Sequence, residues 1–401
     1  MRHSFLRASW GVLAAGVLLC AACDFSVTNP GPIEDSQLNT PAAMPGLVNG
    51  MSGDLSYALG NFLEDLAVTS GELSHSGNYS VEREYYLGTV TPEDANPDWG
   101  DMQRARWVAE NGIERMKTVL GDEFNTTPLA IRAYLYAGFA NRLLGETSCS
   151  AVIDDGPKQS DSVYFQRADS DFTQALQLAQ AQGGQDTLAS AALAGRASVR
   201  AWLGDWTNAA ADAQQVPDDF VFNAIFSDNT ERENNQVAYE THTRREISVW
   251  GTTWATVFGD PRVPWDSVKT SKGAIQTGQD GKTPFFREQK YPDVGAEVPL
   301  AKGTEMLLLR AEAALRNNDP TTAMSLINEE RATYGLPAES APDVDSTWTI
   351  LKYERGAVLW LEGRRFWDLR RWNAEGRDTF LDGRTKCVPI SANELAANPN
   401  L

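Results

Sequence analysis

The chain has 401 residues, 42% of them apolar, which excludes bulk disorder and allows one large domain or two to three ordinary ones. Acidic residues number 54 against 35 basic ones, and a net charge of −19 argues against wrapping nucleic acid, whose phosphates need a basic footprint. Three histidines are too few for a multi-histidine metal site, and no cofactor is expected.

Residues 1–22 read as a lipoprotein signal peptide. Arg2 and Arg7 open it, Gly11 to Leu19 is apolar but too short to span a bilayer, and the small residues Ala21 and Ala22 precede Cys23. Leu19-Cys20-Ala21-Ala22-Cys23 resembles a bacterial lipobox, with cleavage before Cys23 and lipid on its sulfur; an ordinary secreted protein cut near Ala22 is the alternative. Cleavage leaves a net charge of −21. It also leaves Cys149 and Cys387, which in an oxidising compartment either pair or remain separate buried thiols.

Residues 23–46 hold four prolines and read as a lipidated tether, followed by one domain over 47–401. A helical apolar spacing runs from Leu47 to Leu73, and 74–98 reads as a loop containing Tyr79, Tyr85 and Tyr86. Asp98 to Leu120 is the next predicted helix, with Trp99, Met102, Val108, Ile113 and Met116 on its core side and Trp107 also assigned to the core. Thr126-Thr127 and Pro128 open another, ending near Leu144.

The second half of this scaffold is repetitive. Ala197, Ala201, Gly204-Asp205 and Ala209 recur as Ala311, Asp319 and Ala323, with twelve residues separating the first and last alanine in both segments. Gly138 and Gly145 with Ala168, Phe172 and Ala175 give a third copy, interrupted by a loop over 146–164. Small residues at these places let antiparallel helices approach closely, a pattern resembling tetratricopeptide repeats. The predicted fold is therefore mostly α, tetratricopeptide-like, with a long loop-rich insertion over 217–302. That insertion carries Trp250, Trp254, Phe258, Trp265, Phe285, Phe286 and Tyr291. A last amphipathic helix is predicted over 347–372.

Three separated segments carry a family likeness. They are Pro299 to Ala313 with Ile327-Asn328 and Arg331, then Glu354-Arg355 with Glu362 through Trp372, then Pro389-Ile390 through Leu401. With Asn29-Pro30-Gly31-Pro32-Ile33 and the lipobox, they resemble the SusD/RagB family of outer-membrane nutrient-binding lipoproteins; Asp260-Pro261-Arg262 looks like a loop of these proteins. The resemblance implies a non-enzymatic, outward-facing lipoprotein of the outer membrane. Such a protein binds oligosaccharide or peptide nutrients and delivers them to a SusC-like TonB-dependent transporter. A protein-interaction scaffold at the envelope is the alternative.

The residues are compatible with a glycan site. A pyranose offers an apolar C–H face to an aromatic plane, while its hydroxyls need polar partners. Trp250, Trp254, Trp265, Tyr79 and Asn78 are the candidate ligand-binding residues, with Trp250 and Trp254 sharing a face if helical. The Arg364–Trp372 stretch is expected to pack its helix on the repeats. Asp154 and Asp155 beside Gly156 read as a solvated turn rather than a calcium site. Gly278 to Thr283 looks like a phosphate loop, but the motif needs a glycine five residues before Gly281, where Gln276 stands.

Overall fold

A computed structural model describes residues 35–401 of the chain. The signal peptide, Cys23 and the Asn29–Ile33 segment lie outside the described residues. Residues 35–40, with a 3-10 turn at Asp35–Leu38, belong to one unit, and Pro41–Leu401 form another. The rest concerns the second unit.

Helices dominate. In chain order come α1 (Met44–Thr69), β1 (Ser74–His75), α2 (Ser80–Leu87), α3 (Asn96–Leu120) and α4 (Pro128–Thr147). The predicted loop over 74–98 thus contains a two-turn helix, ended by Gly88 in the left-handed region at φ 71°. Thr127 caps α4, its hydroxyl oxygen accepting the Leu129 N–H at 3.3 Å. The expected loop before α5 (Ser162–Gln182) holds a small hairpin of β2 (Ser150–Ala151) and β3 (Gln159–Ser160).

The repeats take the expected form. α6 (Asp186–Trp202) turns back into α7 (Trp206–Ala213) through Gly204 at φ 82° and Asp205, which caps Asn208 N–H at 3.2 Å. α9 (Gly303–Arg316) turns into α10 (Pro320–Thr333) through Asn318 at φ 58° and Asp319, which caps Thr322 N–H at 3.0 Å. Close approach explains the glycines of the third copy. A Cβ on Gly138 would stand 2.8 Å from the Phe172 ring, and one on Gly145 2.8 Å from Phe165.

Between α7 and α9, the insertion is built of short pieces. They are β4 (Val221–Ala224), a helical turn α8 (Gln236–Ala238) continuing as a π turn to Arg244, β5 (Ile247–Ser248), β6 (Trp265–Ser267), β7 (Phe286–Glu288) and β8 (Val298–Lys302). β5 pairs back to β1, β6 to β7, and β8 to β4, all antiparallel. The β4–β8 pair thereby closes the two ends of the insertion on each other, and β5 ties its middle to the segment after α1.

The final helix is broken, not continuous. α11 (Val344–Val358) and α12 (Arg364–Ala374) are separated by Leu361 at φ 58° and Gly363 at φ 72°, and α13 (Ala392–Ala397) follows. The buried Glu72 carboxylate accepts the Leu361 N–H at 2.7 Å, and the Tyr291 hydroxyl donates to Leu361 O at 2.8 Å. Glu362 pairs at 2.6 Å with both Lys290 and Lys302, rather than with Arg365. These contacts hold a left-handed leucine that local sequence would not choose.

α12 packs on the repeats, as expected. Phe366, Leu369 and Trp372 are buried, and Arg364 reaches Glu305 at 2.9 Å and Glu146 at 3.2 Å. Arg370 donates to Gly145 O at 3.1 Å and to Asp161 at 3.1 Å. Cys149 and Cys387 are joined in a disulfide, their Cα atoms 4.9 Å apart. Beside it the tail makes a parallel bridge, Ser148 to Val388, with Cys149 N–H donating to Val388 O at 2.9 Å.

One assignment on α3 is corrected. Trp99, Met102, Ile113 and Met116 are buried, but Trp107 is 52% exposed. The buried stripe passes through Arg106 and Ala109, so the next residue along turns about 100° away from it.

Candidate functional site

Glycine turns at Gly251 (φ 81°) and Gly259 (φ 78°) throw the 250–265 segment outward. Buried Arg262 then pins it to the C-terminal helices. Its guanidinium meets Asp260 at 2.8 Å, Glu330 of α10 at 3.0 Å and Glu354 of α11. Burial pushes the Glu330 carboxyl up to about 7, against the pull of the Arg262 charge.

Four aromatic rings form a ledge on this support. Phe258 and Trp265 are tilted with centroids 5.0 Å apart, Trp265 stacks on Phe286 at 4.8 Å with an 8° interplanar angle, and Trp250 meets Phe286 edge-on at 4.9 Å. The Trp265 indole donates to Val257 O at 3.0 Å, which fixes the ring. Phe258 is 79% exposed and Trp250 40%, so both ends of the ledge face outward. Large apolar rings packed on one another yet left this exposed mark a binding surface.

The sequence-predicted residues do not all meet here. Trp250 and Trp265 belong to the ledge through Phe286. Trp254 does not: it is 3% exposed, tilted against Tyr353 at 5.9 Å and covered by Arg365 at 5.3 Å, and it shares no helix face with Trp250. Packing on α11 and α12 has drawn it into the core, apart from the ledge.

Asn78 and Tyr79 lie past the other end of the β1–β5 pairing, where Ser74 faces Ser248 and His75 faces Ile247. Asn78 N–H donates to Glu246 at 2.8 Å, and the Arg244 guanidinium covers one face of the Tyr79 ring at 4.3 Å. This end is acidic. Burial lifts Glu82 to about 7 and Glu240 to about 8, with neighbouring carboxylates adding to the shift.

Two further sequence features are built as follows. In the Gly278–Thr283 turn, Lys282 and Thr283 N–H both donate to Asp280 at 2.9 Å, and the chain runs on into β7, not a helix, so those donors do not cradle a phosphate. Asp154 is engaged by Arg106 at 2.8 Å, and no cluster of three metal-ligating side chains occurs among the described residues. Phe258, Phe286 and Arg262 stand out in the sequence as loop residues but are not among the candidate ligand-binding residues read from it. An aromatic just before a glycine in a loop was the available signal for the first.

Residues 295–398 match the sequence model of the SusD family. The C-terminal part of the chain is thus similar to the SusD family. No curated protein sequence matches it. Solved SusD structures share the fold across nearly the whole chain. A SusD-like protein from Bacteroides fragilis is 14% identical over 92% of this chain and 97% of its own, with a TM-score of 0.67. A SusD-like carbohydrate-binding protein from Bacteroides vulgatus is 16% identical, covering 82% and 83%, with a TM-score of 0.60. A laminarin-binding SusD-like protein is 14% identical, covering 90% and 100%, with a TM-score of 0.61. The mostly α, repeat-based architecture of this chain is thus the SusD fold, and at these identities the likeness is one of fold.

Proposed function

We propose that the chain is an outer-membrane lipoprotein, anchored through Cys23 and facing outward. It captures neutral oligosaccharide on the Phe258–Trp265–Phe286–Trp250 ledge and passes it, unaltered, to a SusC-like TonB-dependent transporter. The observation that carries this reading is the ledge itself: four mutually packed aromatic rings whose two ends, Phe258 and Trp250, face outward. Sugar C–H faces pack on such rings, and the array binds without supplying a nucleophile. The likeness to carbohydrate-binding and laminarin-binding SusD-like proteins supports the same ligand class. The acidic net charge disfavours acidic polysaccharides.

Titration of the protein with neutral oligosaccharides, laminarin fragments included, tests the reading through tryptophan fluorescence and calorimetry. Saturable binding that falls about tenfold in Trp250→Ala and Phe258→Ala supports it, since one ring contact contributes on the order of 1 kcal/mol. Binding indifferent to both substitutions, or seen only with peptides, sinks it.

A further inference from the structure

One cavity lies away from the ledge and shares no lining residue with it. It is a groove of about 530 Å³ between α3 and α5, floored by Tyr134 of α4. Trp107, Glu110, Asn111 and Glu114 line one wall at helical spacing. Arg167, Ser170, Asp171 and Gln174 line the other at the same spacing.

The groove's charges are already matched. Glu110 takes Arg106 at 2.6 Å and Arg167 at 2.7 Å, Lys117 is held by Glu114 at 2.7 Å, and Asp154 by Arg106 at 2.8 Å. A charged ligand would have to break these pairs. Three polar side chains are left unengaged: Asn111, Ser170 and Gln174 are exposed and make no hydrogen bond among the described residues. Asp171 is bonded on one oxygen by Asn141 at 3.2 Å, and burial pushes its carboxyl up to about 8, so near neutral pH it carries a proton to donate. Trp107 supplies the one large exposed ring. An exposed indole, unengaged amides and a hydroxyl, and no net free charge are together the recognition set of a neutral polyol. A peptide fits less well, because the walls are helices whose backbone groups are already paired and offer no strand edge.

We propose that the α3–α5 groove is a second saccharide site, taking a short neutral oligosaccharide on the Trp107 ring, with Asn111, Ser170, Asp171 and Gln174 bonding its hydroxyls. The site does not depend on the ledge. It gives the molecule two separated footholds on one glycan chain, so that avidity, not a single tight pocket, would hold a polymer.

The test uses the full chain labelled with 5-fluorotryptophan, in the native sequence and in a Trp250→Ala/Phe258→Ala background. The fluorine resonance of residue 107 is assigned through Trp107→Phe. Neutral oligosaccharides are expected to shift that resonance saturably in both backgrounds. Trp107→Ala is expected to remove at least tenfold of the binding that survives loss of the ledge, with the unfolding midpoint unchanged because the ring is exposed. Asp171→Asn, which keeps a donor, is expected to retain binding. A residue-107 resonance unmoved by every sugar, or moved by peptides alone, overturns this proposal and leaves the ledge untouched. Failure of the ledge variants to change binding, with Trp107 still responding, overturns the ledge and leaves the groove.

Discussion

Arg371 on α12 meets Glu312 on α9 through two parallel hydrogen bonds of 2.7 and 2.8 Å, with both side chains buried. The Trp372 indole donates to the same carboxylate at 3.1 Å, and Asp368 takes Arg371 at 3.0 Å and Arg355 at 2.7 Å. Despite burial, the Arg371 charge holds the Glu312 carboxyl well below the usual range. Truncating one partner would strand the other's charge in the core, and Arg371→Ala is expected to cost about 3–5 kcal/mol. Denaturant unfolding checks this; a loss under about 1 kcal/mol would show that the pair is not needed to seat α12.

Helix contacts make a second expectation. Gly138→Ala and Gly145→Ala push a methyl into Phe172 and Phe165 and should each cost about 1–3 kcal/mol. Gly100 sits inside α3 with nothing within 4 Å of its would-be Cβ, so Gly100→Ala should stabilise by about 0.5–1 kcal/mol. Melting midpoints moving in the same direction for all three would contradict the packing described.

Stability should fall as pH rises through neutrality. Burial raises Glu72, Glu82 and Asp98 to about 7 and Asp171 and Glu240 to about 8, above their unfolded values. The folded chain therefore holds more protons than the unfolded chain between roughly pH 4.5 and 8, and across that window these groups favour unfolding as pH climbs. His75, lowered by burial, acts oppositely, withdrawing stability as pH drops below about 6.5. Melting temperature is expected to decline from pH 6.5 to 8.5, and Glu240→Gln to flatten the decline. A midpoint that climbs over that range refutes this.

Arg262 links stability to binding. Arg262→Met leaves Glu330 without its cation, Glu354 keeping only Arg331, and frees the segment that carries Phe258. Oligosaccharide affinity at the ledge should drop at least tenfold while far-UV circular dichroism stays helical. Arg262→Lys should not restore it, because one ammonium cannot reproduce a planar fork that serves three carboxylates. Unchanged affinity in the methionine variant would mean that the loop needs no such anchor.

Helices and repeats were legible because their signal is periodic and local: Ala197 and Ala209, or Ala311 and Ala323, sit where close packing demands small side chains. Trp107 was misplaced in the core, because an aromatic residue in a helix reads as apolar, while the buried stripe in fact runs through Arg106 beside it. The break at Leu361 was not, because its left-handed turn is enforced by Glu72, 289 residues away. Trp254 and Phe258 were indistinguishable as loop aromatics. Only the arrival of Tyr353 and Arg365 buries one, and only the Arg262 anchor presents the other.

Ser148 pairs with Val388, and Cys149 with Cys387, 238 residues later. The turn after α4 therefore leaves the ribosome long before its partner exists. At ordinary synthesis rates of about 5–20 residues per second, that interval is roughly 10–50 s. Throughout it Cys149 is an unpaired thiol beside an open backbone edge. Any chaperone or oxidant that meets the nascent chain in that interval meets it in that condition, until Cys387 and Val388 arrive to close it.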